Sequence, residues 1–236
     1  MGVTTGVSLP DERTAKGADK MTNDELRSSV SDEIHYDPKI DNDAIAVSAE
    51  DGIVTLRGTV GSLRQKREAK RAAERVYGVI RVESHLQVRL MDSDERADAD
   101  VRGDVLQALM LDALVPSTVD ASVSDGFVTL TGHAEWQYQR DEAESVAANV
   151  RSVVDVVNDI TLTGPNPTAG DVRHDIDKAF KRNAKLDADQ LTVETDDGTV
   201  TLKGTVRSWA EHDEAVDAAW AAPGVRKVKD HLFVSY

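Results

Sequence analysis

Arg64, Arg67, Arg71 and Arg75 stand three and four residues apart in a stretch that also holds Lys66 and Lys70. On a helix, that spacing gathers the four guanidinium groups into a sector of about 80°, with the lysines at its flanks. Only Glu68 and Glu74 dilute the charge. The chemistry open to such a stripe is electrostatic docking, since a basic side chain near an anionic lipid surface contributes about 1 kcal/mol. The plainer reading is a solvated helix face, which is what most charge runs are.

Other reactive residue types lack the spacing that chemistry needs. The chain has no Gly-Xaa-Ser-Xaa-Gly elbow, no phosphate-binding loop and no His-Glu-Xaa-Xaa-His helix. Its histidines, at 35, 85, 133, 174, 212 and 231, are scattered. Asp41-Asn42-Asp43 and Asp187-Ala188-Asp189 open like calcium loops, but the glycine and glutamate that complete such a loop are missing. They read better as loops entering a strand, where carboxylates and backbone carbonyls leave room for a weak monovalent cation. Cysteine is absent, which excludes disulfides and thiol chemistry. No catalytic residue, resident metal or cofactor is expected.

The basic helix belongs to a unit written three times. Residues 51–58 read Asp-Gly-Ile-Val-Thr-Leu-Arg-Gly, 125–132 read Asp-Gly-Phe-Val-Thr-Leu-Thr-Gly, and 197–204 read Asp-Gly-Thr-Val-Thr-Leu-Lys-Gly. The spacings of 74 and 72 residues are too long for a solenoid and long enough for a small domain. Ahead of each octet runs an apolar stripe at helical spacing: Leu26, Val30, Ile34; Val101, Val105, Leu109; Val172, Ile176, Phe180. An alternating segment then leads into Asp51-Gly52, Asp125-Gly126 or Asp197-Gly198, the signature of a two-residue hairpin turn. Gly58, Gly132 and Gly204 are expected to close the second strand. A second helix follows with a small-residue stripe: Ala69, Ala72, Ala73; Ala143, Val146, Ala147; Ala215, Ala218, Ala219. The last strand carries Leu86 and Val88, Ile160 and Leu162, then Leu232, Val234 and Tyr236.

The fold class expected is α+β. It consists of three tandem α-β-β-α-β domains, each a three-stranded mixed sheet with two helices packed on one face. The domains fall at 24–90, 98–163 and 171–236. An acidic linker spans 91–97, a Pro/Gly linker 164–170, and 1–23 form a disordered tail.

The octet, together with segments such as Gly78-Val79-Ile80-Arg81-Val82 and Gly224-Val225-Arg226-Lys227-Val228, resembles the BON domain family of bacterial osmotically inducible and nodulation proteins. The resemblance covers residues 24 to 236. It implies a non-enzymatic module that associates with phospholipid or membrane surfaces, with some relatives binding potassium ion in the cytoplasm. It also implies that the second helix takes part in lipid contact, which in the first repeat is the helix bearing Arg64, Lys66, Arg67, Lys70, Arg71 and Arg75.

Charge separates the three copies. Net charge is −15 over 236 residues, which argues against nucleic acid as a partner. The balance is −1 over 24–90, −9 over 98–163 and −3 over 170–236. The arginine positions of the first copy become Tyr138, Asp141, Ser145 and Asn149 in the second, and Ala210, Asp213, Asp217 and Ala221 in the third. Aromatic residues are few. Trp136, Tyr138 and Trp209 open second helices, where an indole suits a membrane interface, a partner surface or packing between domains.

No stretch has the length of a membrane span and no secretory leader is evident, so a cytoplasmic, peripherally associating protein is expected. Two readings stand. One is peripheral association with anionic phospholipid in an envelope or osmotic stress role. The other is a soluble stress-related scaffold binding a protein partner or a small ligand such as potassium ion. Oligomeric state is not encoded in any pattern seen here.

Overall fold

The computed structural model of the chain describes residues 21–90, 96–164, 169–183 and 186–235. Most of the expected tail, much of both linkers and Tyr236 lie outside the described residues.

The first repeat runs α1 (Asn23–Tyr36), β1 (Ile45–Glu50), β2 (Ile53–Val60), α2 (Leu63–Glu74) and β3 (Arg81–Val88). The second runs α3 (Asp98–Leu111), β4 (Asp120–Ser124), β5 (Phe127–Thr131), β6 (His133–Ala134), α4 (Gln137–Ala148), β7 (Asp155–Asn158) and β8 (Thr161–Leu162). The third runs α5 (Ala169–Arg182), β9 (Leu191–Asp196), β10 (Thr199–Val206), α6 (Trp209–Trp220) and β11 (Lys227–Val234). Each repeat builds a three-stranded sheet whose middle strand is antiparallel to the first and parallel to the last.

The hairpin turns set this register. Asp51 and Gly52 have φ of 48° and 83°, Asp125 and Gly126 of 52° and 77°, and Asp197 and Gly198 of 38° and 70°. Two successive positive φ values are those of a type I′ turn, whose twist matches that of the flanking strands. The register then places Val54 and Leu56 of β2 on the helix side, both fully buried. Leu26, Val30 and Ile34 of α1 meet them there with Ala69, Ala72 and Ala73 of α2. Small residues on α2 let the helix lie close to the sheet.

Gly58, like Gly204 inside β10, departs from the strand-closing role expected of it. It lies inside β2, paired with Ile45 on one side and Leu86 on the other. Its φ is 128°, and a Cβ there would lie 1.9 Å from the Ala44 carbonyl oxygen. The chain therefore needs glycine because β1 enters against its α-carbon, and β2 continues past it to Val60.

The second repeat is also less regular than expected. Its middle strand breaks at Gly132 and its last strand near Asp159, leaving β6 and β8 as a separate parallel pair. Backbone bonds from Asp159 N to Leu130 O (2.8 Å) and Thr161 N to Gly132 O (3.0 Å) carry the ladder across the break.

The second helices start alike. Gln65, Gln139 and Glu211 each accept a backbone N–H from just before their helix, at 3.1 Å from Gly61, 3.0 Å from Glu135 and 2.6 Å from Arg207. These bonds tie the residue ahead of each N-cap back to the third residue of α2, α4 and α6.

Candidate functional site

The helix α2 carries the basic residues, and its first turn is not a free surface. Leu63 is 2% exposed and belongs to the same core as Val101, Val105 and Leu130 of the second repeat. Val88, at the end of β3, packs against the cores of both the first and second repeats. This apolar plug brings α2 against α4 and β7, and the charges follow. Arg67 Nη2 donates to Glu144 Oε1 at 2.6 Å, and Lys66 Nζ lies 3.6 Å from Asp155 Oδ2. Glu144 is held for this contact by Asn158, whose Nδ2 donates to its other oxygen at 3.2 Å.

The remaining basic residues divide. Lys70 lies 3.4 Å from Glu74 and Arg71 3.7 Å from Glu68, both along the helix. Arg75 donates to Glu33 at 2.9 Å and to Asp37 at 3.2 Å, tying α2 to the end of α1. Arg64 is exposed and has no ion pair among the described residues. The arginine face thus points partly at the second repeat, partly at α1 and partly to solvent.

Trp209, at the start of α6, occupies the position of Leu63. Its indole Nε1 donates to the Val79 carbonyl of the first repeat at 3.1 Å, and its ring lies 4.7 Å from that of His212, tilted by 58°. Burial pulls the His212 imidazole pKa down. Asp213 on one ring nitrogen and Asp230 on the other outweigh burial and hold it above the usual value.

Between α2 and α6 lies a cleft of about 650 Å³ into which Arg71, Arg75 and Arg207 face together with Tyr77 and Trp209. Glu74 and Asp213 share its wall. Burial is the main reason the Glu74 carboxyl pKa is raised; Asp213 adds to the shift and Lys70 opposes it.

A second cleft, of about 720 Å³, opens where α2, α4 and α6 converge. Arg71, Ser145 and Asp217, which hold one and the same position in their helices, all line it. Trp136, Tyr138 and Trp220 form its apolar wall, with Asp141 and Glu142 beside them. Burial raises the Asp141 carboxyl, and Glu144 and Asp217 raise it further; burial also raises Asp217, together with Asp213 and Glu214. The succession is cyclic: α2 leans on the second repeat, α6 leans on the first, and α4 faces the third.

Arg207, Asp217 and Trp220 escaped the sequence reading as site residues because each lies far in sequence from the basic helix, and Tyr77, just past the end of that helix, because the wall it shares with Trp209 comes from another repeat. The signal available was positional. Asp217 stands where the first repeat has Arg71, an opposite charge at an equivalent place.

Among the described residues no group of three or more His, Asp or Glu side chains could hold a metal ion. Asp187 serves as an ion-pair partner, 2.6 Å from Arg207 Nη2. Asp41 accepts from the backbone of Asp43 at 3.4 Å. No helix among the described residues is long and apolar enough to cross a membrane.

Comparison with known proteins adds a family. A model of the BON domain matches residues 22–89, 97–164 and 168–235. Over 123 residues the chain is 37% identical to Osmotically-inducible protein Y of Escherichia coli (strain K12), an alignment spanning 49% of this chain and 60% of that protein. Among solved structures, CdsD, a structural protein of the Type III secretion system of Chlamydia trachomatis, aligns over 88% of this chain and 90% of its own at 14% identity and a TM-score of 0.24. The C-terminal domain of CdsD aligns over 92% and 100% at 13% identity and a TM-score of 0.25. Likeness at that level carries no argument.

Proposed function

This chain belongs to the BON domain family, with three copies in tandem, and on that premise we propose that it is a non-enzymatic binding protein of the osmotic-stress response that docks peripherally on anionic phospholipid. The stress role rests on the relative named as osmotically inducible, at 37% identity over half of this chain. The docking role rests on one observation: Arg71, Arg75 and Arg207 converge with Tyr77 and Trp209 on a cleft of about 650 Å³. That pairing of cations with amphipathic rings suits a phosphate headgroup and the interface around it. The lipid-facing set is accordingly smaller than the whole basic helix, because Lys66 and Arg67 are turned to the second repeat, whereas Arg71, Arg75 and Arg207 line the cleft while keeping carboxylate partners of their own. The test is co-sedimentation with anionic and with neutral vesicles at low and high salt. Binding that is specific to anionic vesicles and weakens with salt supports docking. Absence of binding at low salt overturns it.

A second reading is favoured by a separate observation. The Arg67–Glu144 and Lys66–Asp155 pairs join repeats into one body and leave an acidic, aromatic cleft at their meeting point. Such a body suits a scaffold or small-ligand binder. Thermal stabilisation by a cation, absent with an equal concentration of sodium, would support it.

A further inference from the structure

We infer that the cleft between α4 and α6 binds an organic ammonium cation, its alkylated head seated against Trp136, Tyr138 and Trp220 and its charge matched by Asp141 and Asp217. The inference deepens the small-ligand reading and is independent of lipid docking.

The three helix junctions are built from equivalent positions, and two of them are complete. At the first, Leu63 is buried in the core of the second repeat and Arg67 meets Glu144 at 2.6 Å. At the second, Trp209 donates to Val79 O at 3.1 Å. At the third, the residue equivalent to Leu63 and Trp209 is Gln137, whose Oε1 is buried without a hydrogen-bond partner and whose Nε2 donates to Asp141 at 2.6 Å. The residue equivalent to Arg67 is Asp141, which faces a second carboxylate, Asp217, where the first junction offers opposite charges. Like charges brought together repel, and the basic side chain lining the cleft with them is Arg71 at its rim.

The chemistry of the wall selects the class of cation. A small hard ion asks for a shell of oxygens in close array, and no such group of acidic side chains exists among the described residues. Three aromatic side chains line this one cleft instead, and aromatic ring faces attract bulky, weakly hydrated ammonium groups. The cleft, at about 720 Å³, has the size of small-molecule sites. The surrounding repeat is the most acidic of the three, at −9, and draws cations toward it. Arg71 stands at the rim, 69% exposed, as a resident positive charge that competes with the ligand.

The experiment is calorimetric titration of the full chain with tetramethylammonium chloride, against sodium chloride at equal ionic strength. Melting curves of each variant confirm folding. The expected result is saturable binding of tetramethylammonium alone, weakened about tenfold or more by Asp141→Asn or Asp217→Asn. Arg71→Gln should tighten tetramethylammonium while weakening anionic vesicles, so the two clefts report separately. No saturable heat, an equal response to sodium, or binding unchanged in folded Asn variants would each overturn the proposal, whatever the vesicles show.

Discussion

Arg67 and Glu144, 77 residues apart, share a charge-assisted hydrogen bond of 2.6 Å between α2 and α4. Both side chains are about one-third exposed, at 31% and 34%, so solvent screens the pair only in part. A double-mutant cycle with Arg67→Ala and Glu144→Ala should give a coupling of about 1 kcal/mol. The coupling should shrink in high salt. Strict additivity of the two substitutions would show that the repeats are not joined through this pair.

Trp209 makes the corresponding contact from the third repeat. Trp209→Phe keeps a smaller aromatic ring and deletes the donor to Val79 O. The expected cost is about 1 kcal/mol, read as a shift in the denaturant midpoint. A midpoint identical to wild type would place the indole outside the junction in solution.

Two backbone positions make opposite predictions. Gly58→Ala forces a Cβ to 1.9 Å from a carbonyl oxygen at φ 128° and should cost about 3 kcal/mol or more. Ser152 occupies the place of Gly78 and Gly224 and adopts φ 69°, against their 89° and 80°. Ser152→Gly should therefore stabilise the second repeat by about 0.5–1 kcal/mol, less what the hydroxyl contributes. Thermal melts of the two variants should move in opposite directions.

Stability should also fall as pH rises from the carboxylate range through neutrality. The carboxyls of Glu74, Asp141 and Asp217 titrate above their ordinary values of 4.5, 3.8 and 3.8 in the fold. Between those values and the raised ones the folded state holds more protons than the unfolded, so stability is lost as pH rises. His212 is raised from 6.5, so its contribution is fully present below that pH and disappears as pH passes the folded value. Asp141→Asn with Asp217→Asn should flatten the acidic part of the profile, and His212→Gln the neutral part. A wild-type profile that rises across this range would contradict the assignment.

The fold was legible because it is written three times. Octets in register made the hairpins plain, and the stripes Leu26/Val30/Ile34 and Ala69/Ala72/Ala73 marked the two faces that meet. The meaning of Gly58 was not legible, since a glycine that ends a strand and one crossed by a neighbouring backbone look alike in sequence. The partners of the basic helix were hidden for a similar reason. Periodicity placed Arg67 on an arginine face, but Glu144 faces it only because Leu63 docks in another repeat's core. The two clefts draw their walls from different repeats, so neither has a spacing that a linear reading could detect.

The most direct test of the docking account is vesicle co-sedimentation of the wild type beside Arg71→Gln/Arg207→Gln and beside Arg67→Gln. Reversing the charge of the whole helix would also break the junction with α4, whereas these substitutions separate the roles. The account predicts that wild type binds anionic vesicles, that the Arg71/Arg207 variant loses most of that binding, and that Arg67→Gln keeps it with lower stability. Equal binding by all three, or none by the wild type at low salt, would contradict it.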